Sequence, residues 1–102
     1  MIRFNRPYQT SQQGVGGLQL LSNFPNPFVE MTMLRFHLPE AAFIVLSIFD
    51  AQGQVVTQKE GSFESGENQL VLQRQDLREP GIYEYQIETP DAVTERRKLV
   101  MF

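Results

Sequence analysis

From residue 18 onward, apolar and polar positions alternate in short runs with a period of two, the pattern of half-buried β-strands. LQLL (18–21) is a first short run. TMLRFHL (32–38) places Leu34, Phe36 and Leu38 on one face and is stopped by Pro39. FIVLSIFD (43–50) does the same with Ile44, Leu46 and Ile48. VVTQKEG (55–61), QLVLQR (69–74) with Leu70 and Leu72 inward, GIYEYQIET (81–89) and ERRKLVMF (95–102) follow. Polar and Gly/Pro-rich turns at 50–53, 64–68, 76–81 and 90–92 separate these runs. No stretch of ten or more residues carries a helical period. Strands of this length and number predict an all-β fold: an Ig-like antiparallel β-sandwich of about seven strands.

Three connections carry more detail. In DAQG (50–53), Asp50 is expected to accept local backbone hydrogen bonds and Gly53 to supply a positive φ, together closing a hairpin. In LREPGIY (77–83), Leu77 caps the core and Gly81 permits a tight approach. There Tyr83 bonds back to the upstream backbone as a tyrosine corner. NFPNPF (23–28) can be neither helix nor central strand. It is expected to be an extended crossover near polyproline geometry, with Phe24 and Phe28 both anchored in one end of the core. Asn23 and Asn26 would bond the adjacent backbone.

Residues 1–17 break the alternation. They are rich in Gln, Gly, Ser and Thr, end in GVGG, and read as a flexible N-terminal arm or linker ahead of the sandwich domain at 18–102. Ile2, Phe4 and Tyr8 at even positions leave open a short extended segment that docks on a neighbour. The same residues lack the apolar core of a signal peptide. The chain is therefore expected to be cytoplasmic if it stands alone, or a piece of a longer exported protein.

Composition narrows the chemistry. A length of 102 residues allows one ordinary domain, and 41% hydrophobic residues suit a packed core. The absence of cysteine excludes disulfides and thiolate metal sites. A net charge of −3 offers no broad basic field for nucleic acid, although Arg96, Arg97 and Lys98 are clustered. No apolar run approaches the roughly 18 residues of a membrane span.

Candidate catalytic groups lack partners. His37, the single histidine, falls on the outward parity of its strand without HxH or HExxH spacing. The carboxylates Glu60, Glu64, Glu67, Asp76, Glu79, Glu88 and Asp91 lie mostly in turns, where solvation explains them. Ser47, Ser62 and Ser65 have no GxSxG context, and Gly14, Gly16 and Gly17 do not link a strand to a helix. The expectation is a non-catalytic protein without cofactor or metal.

The outward parity is unusual. Met31 and Met33 in one run, Phe43, Val45 and Phe49 in the next, and Val55 beyond would make an apolar patch if they shared one sheet face. Such a patch is expected to serve self-association or docking to a larger assembly, unless it tucks under the N-terminal arm.

The order NFPNPF, FHLP (36–39), IFDAQG (48–53), Gly61, Gly66, LREPGIY and a terminal KLV (98–100) resembles the type A C-terminal sorting domain of type IX secretion cargo from Bacteroidota-like bacteria. The likeness covers residues 18–102. The sequence is similar also to the Ig-like module of the flagellar hook-capping protein. The first resemblance implies a seven-stranded Ig-like fold. It also implies a non-catalytic role as an export address, read by the outer-membrane secretion machinery and removed by a sortase-like protease. The family's recognition elements would fall on Asn23, Pro25, Asn26 and Pro27, on Asp50 and Gly53, on Gly81 and Tyr83, and on Lys98. A standalone Ig-like structural subunit, assembling through its apolar outer face, is the rival expectation.

Overall fold

Each alternating run becomes a strand because one face has a core to enter. In the computed structural model, which describes residues 17–102, the elements are β1 (Gln19–Phe24), β2 (Met31–Leu38), β3 (Ala42–Phe49), β4 (Val55–Phe63), β5 (Gly66–Gln73), α1 (Arg74–Leu77), β6 (Gly81–Glu88) and β7 (Arg97–Met101). The arm expected over 1–17 lies, apart from Gly17, outside the described residues.

The strands form two antiparallel sheets, ordered β1-β2-β5 and β4-β3-β6-β7. Their inner faces share one core, to which β2 gives Leu34, Phe36 and Leu38, β3 gives Ile44, Leu46 and Ile48, and β6 gives Tyr83, Tyr85 and Ile87. The inward positions expected from parity on β2 and β3 are thus occupied as read, and Leu72 of β5 joins them with Leu70 packed alongside. Compared with the constant-type immunoglobulin order, the fourth strand lies beside the third instead of beside the fifth.

Several boundaries differ from the alternation: the first strand runs on to Phe24, and the fifth begins at Gly66, inside the turn expected at 64–68. The fifth strand ends at Gln73, and Arg74–Leu77 form a single helical turn capped by Asp76, whose carboxylate accepts from Gln73 N (2.8 Å). The fourth strand continues past Gly61 to Phe63, whose ring meets Phe36 edge-on with centroids 5.4 Å apart. Packing of the partly buried Phe63 against the buried Phe36 of the facing sheet carries the strand beyond its glycine.

The expected single apolar face is not formed. Met31 and Met33 belong to the three-stranded sheet, whereas Phe43, Val45 and Phe49 lie on β3 and Val55 on β4 of the four-stranded one. The short stretch Pro39–Ala41 crosses between sheets instead of turning a hairpin, so successive strands present their outer faces on opposite sides of the sandwich. Phe49 is also only 6% exposed, because the Arg96 guanidinium stacks 3.6 Å from its ring centroid.

Candidate functional site

At one end of the four-stranded sheet the chain converges from three directions. Beyond Phe49, the DAQG turn reverses β3 into β4. Gly53 N donates to Asp50 O (2.9 Å), Asp50 N donates to Gln54 O (2.9 Å), and Gly53 sits at φ +85°. The Asp50 carboxylate accepts from Gln52 N (2.9 Å) and Gln54 N (3.0 Å) through Oδ1. An aspartate that satisfies two turn amides and a residue free to adopt positive φ are the two demands of this turn.

Beside the hairpin, β6 begins at the tyrosine corner. The Tyr83 hydroxyl donates to Glu79 O (2.6 Å), four residues upstream, and Leu77 is buried in the same core cluster as Tyr83. Gly81 opens the strand at φ +158°, and a side chain there would meet Tyr83 Cε1 at an ordinary 3.8 Å. Its demand is on the backbone, not on the close approach expected. Lys98 on β7 stands opposite Glu84 on β6.

These pieces enclose an open groove of about 420 Å³ lined by the 50–53 hairpin, Ile82, Tyr83, Glu84 and Lys98. A second groove of about 360 Å³ continues along the hairpin over Val56, Leu77 and Glu79–Tyr83. Ile82, 56% exposed, is an apolar ridge common to both. Asp50, Gly53, Gly81, Tyr83 and Lys98, far apart in sequence, are thus brought together. Ile82 and Glu84 were missed, although the inward parity of Tyr83 and Tyr85 already points both outward.

Asp50 and Glu79 also set the electrostatics. Burial raises the Tyr83 phenol above its ordinary 10.0, and the two carboxylates push it further in the same direction. Tyr85, fully buried, is raised chiefly by burial; Arg97 opposes the shift and Glu95 adds to it. A phenol whose folded pKa exceeds its unfolded one favours the folded state at every pH below about 10. It loses that contribution as pH rises through the folded value. Urea unfolding between pH 8 and 11 is expected to show stability falling above about pH 10, with a shallower fall in Tyr85→Phe.

The hexapeptide lies on the outer edge of β7. Asn23 and Phe24 are the last residues of β1, paired with Leu34 and Met33, so the crossover proper starts at Pro25. Both prolyl bonds, Phe24–Pro25 and Asn26–Pro27, are cis, in place of polyproline geometry. The Thr32 hydroxyl donates to Pro25 O (2.7 Å) and fixes the crossover to β2. Phe28 N donates to Val100 O (2.9 Å), and Phe102 N donates to Phe28 O (2.9 Å). Asn26 completes the edge: its Nδ2 donates to Lys98 O (3.3 Å), and Val100 N donates to its Oδ1 (2.9 Å).

Neither asparagine serves the adjacent backbone as expected. Asn26 bonds a strand more than 70 residues away, and Asn23 Nδ2 is buried without a partner among the described residues. Phe24 is not a core anchor: it is 70% exposed, whereas Phe28 is 1% exposed. Pro25 and Pro27 are exposed and line neither groove. Two arginines legible only in three dimensions secure the ends of this edge. Arg74 Nη1 donates to Val29 O (2.9 Å) and Phe102 O (2.6 Å), and Arg97 Nη1 donates to Leu21 O (2.8 Å) across the sheets.

No curated protein matches the sequence. Among solved structures, the sensor domain of the anti-sigma factor RsgI4 of Pseudobacteroides cellulosolvens is similar with a TM-score of 0.57 at 7% identity. The match covers 84% of this chain and 93% of that one. CHIR-AB1 is similar with a TM-score of 0.51 at 22% identity, over 83% of this chain and 97% of that one. At these identities both likenesses concern the fold alone. Residues 22–101, from the hexapeptide to the end of β7, match the secretion system C-terminal sorting domain. The chain belongs to that family of secretion-sorting domains.

Proposed function

We propose that the domain is a non-catalytic export address of the type IX secretion system, read through the groove between the DAQG hairpin, the start of β6 and Lys98. The observation that carries this reading is convergence. Five of the positions to which the family resemblance points border one concavity and its continuation, and the 50–53 turn, the tyrosine corner and the pairing of β7 give them fixed places. A rigidly presented, solvent-open groove with an apolar ridge and charged walls suits recognition by another protein more than turnover of a small substrate.

On this reading the partners are the outer-membrane secretion machinery and then a sortase-like protease, and the cargo precedes the domain in a longer exported chain. The rival, a standalone subunit assembling through one apolar sheet face, lacks that single face: Met31 and Met33 are on one sheet, and Phe43, Val45, Phe49 and Val55 on the other. The likeness to the hook-capping module rests on residue order alone and adds nothing to the choice.

The test is export of a periplasm-directed reporter fused ahead of residues 1–102 in a type IX-competent bacterium. Release of the reporter at the surface or into the medium is expected. Lys98→Ala, an exposed change that leaves the core untouched, is expected to cut release at least severalfold. Retention of the wild-type fusion in the periplasm would falsify the sorting function. Unimpaired release of Lys98→Ala would show that the groove is not the surface that is read.

A further inference from the structure

We infer that Asn26 is the positioning residue of the groove: its side-chain amide acts as a surrogate peptide group on the outer edge of β7, holding Lys98 in register. This rests on the groove being the recognised surface. β7 pairs with β6 along one edge only. Successive residues of a strand turn their backbone groups to opposite edges. Lys98 O, Val100 N, Val100 O and Phe102 N therefore face away from β6, and all four are taken by the hexapeptide.

Phe28 meets the last two with its own backbone, in a parallel bridge to Met101. In an uninterrupted parallel ladder the backbone of residue 26 would supply the next pair. Here the Asn26 side chain supplies it: a primary amide carries the same donor and acceptor as a peptide unit. Aspartate offers the acceptor without the donor at neutral pH. Serine cannot reach both groups at once, and glutamine places the amide one methylene too far.

The consequence runs to the groove through a single residue. The Lys98 carbonyl is the atom that Asn26 holds, and Lys98 itself lines the groove. The second hydrogen bond, to Val100, fixes the next outward residue. The hexapeptide and the Lys98 wall of the groove, 72 residues apart in sequence, thereby become one assembly. An exposed asparagine with no turn of its own acquires a specific task.

The first measurement is amide hydrogen exchange, by NMR, of the full chain. Asn26→Ala is expected to speed exchange at Val100 by about fivefold to tenfold, the effect of one lost hydrogen bond of ordinary strength. Leu99 and Met101, which face β6, and Phe102, held by Phe28, should keep their rates. Asn26→Asp is expected to leave Val100 protected, because it retains the acceptor. Unchanged exchange at Val100 in Asn26→Ala would overturn the inference.

The second measurement is a double-mutant cycle of Asn26→Ala and Lys98→Ala in the export assay, with each variant compared at equal folded fraction. Non-additive losses are expected, the double variant releasing about as little reporter as Lys98→Ala alone. Additive losses would reduce Asn26 to a stabilising contact and sink the inference while leaving the groove standing. Unimpaired release of Lys98→Ala would remove the groove and the positioning role together.

Discussion

Phe28→Ala is expected to destabilise the domain by about 3–5 kcal/mol, whereas Phe24→Ala costs no more than about 0.5 kcal/mol. The two phenylalanines are four residues apart in one motif and look equivalent in the sequence. Phe28 is 1% exposed, packs in the central cluster, and has both backbone groups bonded to the terminal strand. Its removal leaves a ring-sized cavity beneath β7. Phe24 ends β1 with its ring turned outward beside Met33, so truncation exposes little that was covered. A domain of this size has roughly 5–15 kcal/mol of net stability. The first change should therefore move the urea midpoint strongly and the second hardly at all. Equal midpoint shifts for the two variants would contradict the assigned orientations.

Asp50→Ala carries the second large effect, an expected loss of about 1.5–3 kcal/mol. One carboxylate oxygen accepts the amides of Gln52 and Gln54, and alanine leaves both without their partner. Asp50→Asn keeps a carbonyl acceptor and should lose roughly half as much, since a neutral acceptor is about half as strong as a charged one. The same pair of variants separates turn stability from groove shape. Asp50→Asn preserves the hairpin that walls the groove and removes one of its charges, so a fall in its reporter release at equal folded fraction reads that charge and not groove shape. Urea unfolding of the three proteins decides the ranking. An Asp50→Asn protein as unstable as Asp50→Ala would mean that the turn depends on the charge and not on the acceptor geometry.

Much of the candidate site was legible because its parts are locally encoded. The DAQG turn needs an acceptor at its first residue and a positive φ at its last, and Asp and Gly answer those needs within four residues. The tyrosine corner likewise spans four residues, from Glu79 O to Tyr83. The outward direction of Ile82 follows from the parity of Tyr83 and Tyr85. Arg74, Arg97 and Asn26 were not legible in their roles, because each bonds a carbonyl or amide at least 28 residues away. No local pattern distinguishes such a side chain from a solvated one.

The apolar face shows the same division. Met31, Met33, Phe43, Val45 and Phe49 have outward parity, and the sequence states that much. Whether outward residues of successive strands share a face depends on the connection between the strands. Pro39–Ala41 stops β2 without specifying a hairpin or a crossing, and the packing of the two sheets decides for the crossing. Arg96, far from Phe49 in the chain, then covers one of the rings that parity left bare.

By itself the sequence determined the strand positions, the inward set, the hairpin and the corner, because period-two alternation and turn chemistry act over a few bonds. Its ordered motifs also indicated the sorting family to which the chain belongs. The tertiary structure alone decided which sheet each strand joined and which phenylalanine of NFPNPF entered the core. It also decided that the edge of the last strand would be closed by an asparagine side chain. Those outcomes rest on contacts between distant segments, whose energies appear only once the two sheets have packed.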